Sequence, residues 1–123
     1  MVKGAGTSPP PAWVESAAAT KWLAFSSYCW TGAGKAACVD MIPPQSRTDL
    51  PLLKVRAGEQ LRIHFAFVPR SVHLAVYRGV SFRHWILPRA RTVSWKARGS
   101  GVVVIDAKAK GGTASYLIRL RTS

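Results

Sequence analysis

Residues 60–67 read Gln60-Leu61-Arg62-Ile63-His64-Phe65-Ala66-Phe67. Leu61, Ile63, Phe65 and Phe67 fall on one face of an extended chain, and Gln60, Arg62, His64 and Ala66 on the other. Side chains alternate across a strand with period two, so this segment buries its apolar side only as a strand laid on a second layer. The same period returns at Val72, Leu74 and Val76, at Val93, Trp95 and Ala97, and at Tyr116, Ile118 and Leu120. Val102 to Ala107 is an apolar run interrupted only by Asp106, as expected of a central strand covered on both faces. Lys21 to Trp30, Ala36 to Ile42 and Leu52 to Arg56 complete the set of candidate strands. Turn signals separate them: Pro43-Pro44, Ala57-Gly58-Glu59, Pro69, Gly99-Ser100-Gly101 and Gly111-Gly112. No segment has the length and period of an amphipathic helix. About eight short strands at close spacing predict an all-β fold, a sandwich or barrel.

The length of 123 residues suits one domain. Residues 1–19 are expected to be a flexible Pro-rich leader, with Pro9-Pro10-Pro11 as its spacer and an Ala-rich stretch from Ala12 too short for more than a helical turn. Residues 20–123 form the domain. The first residues lack the apolar run of a signal peptide. An export signal or lipid anchor removed upstream, with a start Met added, is the reading that fits the cysteines below. No stretch approaches the ~20 apolar residues that span a bilayer as a helix.

Cys29 and Cys38 flank a Gly-rich turn between two β-like segments. A hairpin sets them opposite each other, at a separation a disulfide bridges. Two Cys with this spacing do not make a zinc site, and the chain has no further Cys. A disulfide implies an oxidising compartment and hence an extracytoplasmic location.

Ser27-Tyr28-Cys29-Trp30, with Cys38-Val39-Asp40, the turn and strand Val55-Arg56-Ala57-Gly58-Glu59-Gln60-Leu61, and the closing Ala114-Ser115-Tyr116-Leu117-Ile118 carry a resemblance. Over roughly residues 20–122 the order of elements resembles bacterial extracytoplasmic immunoglobulin-like β-sandwich domains of lipoprotein type. Antibody-type domains differ, because their two Cys lie far apart and join the sheets. The resemblance implies an immunoglobulin-like antiparallel β-sandwich, export, and a binding or scaffolding role, with no catalytic residues to carry over.

Charge narrows the partners. Eighteen Lys+Arg face five Asp+Glu, a formal net charge of +13. Such a field draws anions: acidic cell-surface polymers first, with anionic lipid headgroups and nucleic acid as alternatives, nucleic acid being disfavoured by the cysteine pair. Another protein is a further candidate partner, and edge strands leave room for a dimer. The sharpest candidate binding segment is residues 77–91, where Arg78, Arg83, Arg89 and Arg91 interleave with His84 and Trp85. Arg recognises phosphate or carboxylate with two parallel hydrogen bonds, and Trp stacks on rings. The competing reading packs Phe82, Trp85 and Leu87 into the core. Arg62 with His64, Lys96 with Arg98, and Arg119 with Arg121 are further cations sharing strand faces.

Enzymatic chemistry is not expected. The acids Glu15, Asp40, Asp49, Glu59 and Asp106 are scattered, and Gly99-Ser100-Gly101 lacks nucleophile-elbow spacing. A blue-copper site is excluded, since no Cys, His or Met follows His84. No cofactor and no metal are assigned. His64 and His73, if outward on neighbouring strands, are the one pair considered for a metal.

Overall fold

The computed structural model describes residues 9–32, 35–39, 49–79 and 81–122. The strands are β1 (Ala12–Glu15), β2 (Thr20–Trp22), β3 (Ala24–Gly32), β4 (Lys35–Val39), β5 (Leu52–Val55), β6 (Gln60–Phe65), β7 (Ser71–Arg78), β8 (Ser81–Leu87), β9 (Thr92–Lys96), β10 (Gly101–Ala109) and β11 (Gly112–Thr122). No helix occurs among the described residues. The expected leader residues 1–8, the turn residues Ala33 and Gly34, Asp40 and Pro43-Pro44 lie outside them.

Two sheets form a β-sandwich. The smaller has the order β2-β1-β6-β9. The larger has the order β4-β3-β11-β10-β7-β8, with β5 beside β11. All pairings are antiparallel except β5 with β11. β11 is long enough for two partners on one edge: β3 along Gly112–Leu117, then β5 along Arg119–Thr122. A register shift between Ala114 and Tyr116 bulges the β3 pairing, which strengthens local twist where β11 changes partner.

Eleven strands among the described residues replace the expected eight, for three reasons. Residues 12–15, assigned to the leader, form β1, where buried Ala12 and Val14 alternate with Trp13 and Glu15. Lys21 to Trp30 is not one strand. It breaks at buried Leu23, whose N–H donates to the Ala12 carbonyl, and continues in the other sheet. Strands that switch sheets make the corners of a sandwich. The irregular stretch after Arg78 contains β8, an edge strand on β7.

The core lies between the sheets. Leu61, Ile63 and Phe65 of β6, with Val93 and Trp95 of β9, face Leu74 and Val76 of β7, Val103 and Ile105 of β10, and Tyr116 and Ile118 of β11. Each such side chain contributes about 1.5–3 kcal/mol by leaving water. Val102 to Ile105 are buried on both faces of β10, as the continuous apolar run requires. Two glycines set the corners. Gly58, at φ 83°, sits in the turn closed by Glu59 N–H on the Arg56 carbonyl, a left-handed position that favours Gly. Gly112, at φ 143°, opens β11, and a Cβ there would run into the Cys29 carbonyl oxygen.

Candidate anion-binding clefts

The cysteine hairpin forms as its spacing predicts. β3 and β4 pair with Cys29 opposite Cys38, and the two are disulfide-bonded on the outer side of the large sheet. No free cysteine remains among the described residues, so thiol chemistry is closed there.

Of the six residues singled out between Arg78 and Arg91, Arg78, Arg83 and Trp85 line one small cavity of about 250 Å³, and His84, Arg89 and Arg91 lie outside it. β8 alternates, which sends Phe82, His84 and Ile86 to the outer face of the sheet and Arg83, Trp85 and Leu87 to the other. Trp85 and Leu87 pack against the core, Trp85 meeting Trp95 edge-on at 5.5 Å, whereas Phe82 stays exposed and stacks on Tyr77. Arg78 ends β7, and its guanidinium donates to the carbonyls of Ser100 and Arg98. Arg89 and Arg91 are exposed in the link to β9, a strand length of about 20 Å from Arg78.

The histidines are placed differently from the expected pair. His64 is on β6 of the small sheet and His73 on β7 of the large one, because the chain crosses the sandwich between them. His64 lies 3.0 Å from Glu15 through Nε2 and 3.0 Å from Thr92 Oγ1 through Nδ1. A carboxylate only accepts, so Nε2–H donates to Glu15, and in the neutral ring Nδ1 accepts from Thr92. His73 Nδ1 instead meets His84 Nε2 at 3.0 Å. Among the described residues no group of three His, Cys, Asp or Glu is arranged to hold a metal ion.

The cations that do gather belong to β5 and β11. Their parallel register sets Leu52 beside Arg119 and Lys54 beside Arg121. Alternation turns Leu53 and Val55, with Leu120, into the core and sends Lys54, Arg119 and Arg121 outward. A cleft of about 780 Å³ is lined by Lys54, Arg56, Arg121 and Glu59, together with the Ala17–Ala18 turn. A second, of about 560 Å³, is lined by Arg78, Arg119 and Arg121, with Tyr77 and Ser100. Arg121 lines both, so the two adjoin.

Lys54, Arg56, Arg78, Arg119 and Arg121 thus line the two clefts, and Glu59 lines the first. Glu59 is already engaged: its oxygens accept N–H bonds from Arg56 at 3.0 Å and Ala17 at 2.8 Å. Those two backbone bonds, and Arg56 electrostatically, hold its carboxyl below the usual range. The bonds also tie the β1–β2 turn to the β5–β6 turn, which fixes the rim of the first cleft. Clustered cations bind anions by charge and by bidentate Arg contacts. The alternation of Arg119 and Arg121 signalled part of this cluster. Their meeting with Lys54 depends on a parallel pairing that no local pattern encodes.

The fold and the clefts define a cationic β-sandwich domain. Beyond that class, the chain matches no protein-family model and no curated protein sequence.

Proposed function

We propose that this chain is a non-enzymatic, exported binding domain, of the bacterial extracytoplasmic immunoglobulin-like kind, that holds an anionic cell-surface polymer. The observation that carries the reading is the pair of adjoining clefts sharing Arg121, lined also by Lys54, Arg56 and Arg78, where the lining carboxylate Glu59 is already hydrogen-bonded to two backbone amides. A polymer fits better than a small anion, because the cations are spread over two open clefts and no single enclosed pocket. The bonded Cys29–Cys38 hairpin supports an oxidising compartment, and with it the exported reading over nucleic-acid binding.

The test is titration of the protein with polyphosphate and polygalacturonate at increasing salt. The Lys54→Ala/Arg121→Ala double variant is expected to bind about tenfold or more weakly than the parent at low salt. Parent protein that binds neither polymer, or a double variant with unchanged affinity, defeats the reading.

A further inference from the structure

The outward face of the small sheet carries a row of rings. The register sets Trp22 opposite Trp13, Trp13 opposite His64, and His64 opposite Thr92, across all four strands. Trp13 alternates with Ala12 and Val14, and His64 with Ile63 and Phe65, so both rings point away from the core. Trp13 and His64 stack at 5.2 Å with planes 15° apart. Trp22 meets Trp13 at 5.5 Å and 67°, and remains 64% exposed. The adjacent row holds Thr20, Glu15, Arg62 and Ser94.

An exposed Trp on a sheet face costs solubility and gives the core nothing. Its use is as a ring surface for a partner. The neighbours say which kind. Glu15 gives one oxygen to His64, and a carboxylate has acceptor capacity left over. It therefore suits a ligand that brings hydroxyl donors to it, as a sugar ring does. Arg62 is exposed, is set beside Glu15 in the register, and has no side-chain partner among the described residues. It offers a carboxylate a bidentate contact. The 67° between Trp13 and Trp22 does not provide the parallel surfaces on which successive bases stack. A sugar ring needs one such surface, since it presents an apolar C–H face with hydroxyl groups at its edge.

We propose that this face is a binding platform for an acidic polysaccharide. Trp22 packs on the C–H face of a pyranose ring, the remaining Glu15 oxygen accepts a ring hydroxyl, and Arg62 pairs with a sugar carboxylate. The polymer's charge rests on the function proposed above; the platform stands on different residues. The two regions are contiguous, because the β1–β2 hairpin bearing Trp13, Glu15 and Trp22 turns at Ala17–Ala18, which line the first cleft.

Polygalacturonate and polyphosphate are compared as ligands, by calorimetry and by tryptophan fluorescence. Trp22→Ala is expected to weaken polygalacturonate binding about tenfold and to leave polyphosphate binding unchanged. Arg62→Ala, at an exposed position, is expected to weaken polygalacturonate alone, and serves if Trp22→Ala alters the fold. Lys54→Ala/Arg121→Ala is expected to weaken both polymers. Parent protein that binds polyphosphate but not polygalacturonate overturns the platform and leaves the clefts standing. Equal polygalacturonate affinity in the parent, Trp22→Ala and Arg62→Ala overturns it as well. Loss in Trp22→Ala with no loss in the cleft double variant keeps the platform and removes the clefts.

Discussion

Tyr116 occupies the centre of the β11 inner face with no exposed surface, against Phe25 and Phe65. Its hydroxyl donates to the Pro10 carbonyl at 2.7 Å, which ties residues 106 positions apart. Burial pushes the phenol well above its ordinary value of 10.0, because the ring has no water to stabilise a phenolate. The sign follows from proton counting. Below pH 10 both folded and unfolded chains keep the proton, and the contribution of the buried neutral phenol is complete. Above it the unfolded chain releases the proton and the folded chain does not, so stability falls as pH rises. Tyr116→Phe is expected to cost about 1 kcal/mol at pH 7, through the unpaired Pro10 carbonyl, and to flatten the alkaline decline. Denaturant midpoints of both proteins between pH 7 and 11 check this. Parallel declines would refute it.

β4 is an edge strand paired only with β3 among the described strands, and the Cys29–Cys38 bond is its covalent tie. Cys29→Ala/Cys38→Ala is expected to cost about 3 kcal/mol in the chain-entropy account of a short loop. Amide exchange should accelerate most along β4 and least along β10 and β11, which lie inside the large sheet. Uniform acceleration would mean that the hairpin and the sheet open together. This hairpin was legible because its turn, its flanking strands and its two Cys are adjacent in sequence. β6, β7, β9 and β10 were legible from period or apolar continuity, since each buries at least one whole face. β8 was legible only as one of two readings, a strand with loops or a long loop, because both of its faces mix apolar and polar residues: Phe82 and Ile86 with His84 on one, Trp85 and Leu87 with Arg83 on the other. β1 was not legible, because its four residues are too few to show a period, and one of its two partners, β6, lies about fifty residues on. The clefts share that origin: Lys54 and Arg121 are neighbours only through the β5–β11 pairing. Of the six-residue site expected around β8, Arg78, Arg83 and Trp85 share a cavity, and His84, Arg89 and Arg91 do not. Alternation splits its side chains between two faces.

Over the whole molecule, a net charge of +13 raises the question of whether anions are held at a place or merely attracted to a field. Glu15 is bonded to His64, Glu59 to two backbone amides, and Asp106 accepts from Ser115. Two charge-matched variants separate the alternatives. Lys54→Ala/Arg121→Ala empties the shared wall of the clefts, whereas Lys108→Ala/Lys110→Ala removes the same charge at exposed positions around the β10–β11 turn. Each cation in contact with a flexible polyanion contributes about 0.7 to the slope of log affinity against log salt. The cleft variant is therefore expected to lose about 1.4 from that slope. The turn variant should keep the parent slope, because a charge remote from the ligand displaces no condensed counterions from it. Equal losses in the two variants would assign binding to the general field and leave the clefts without a role.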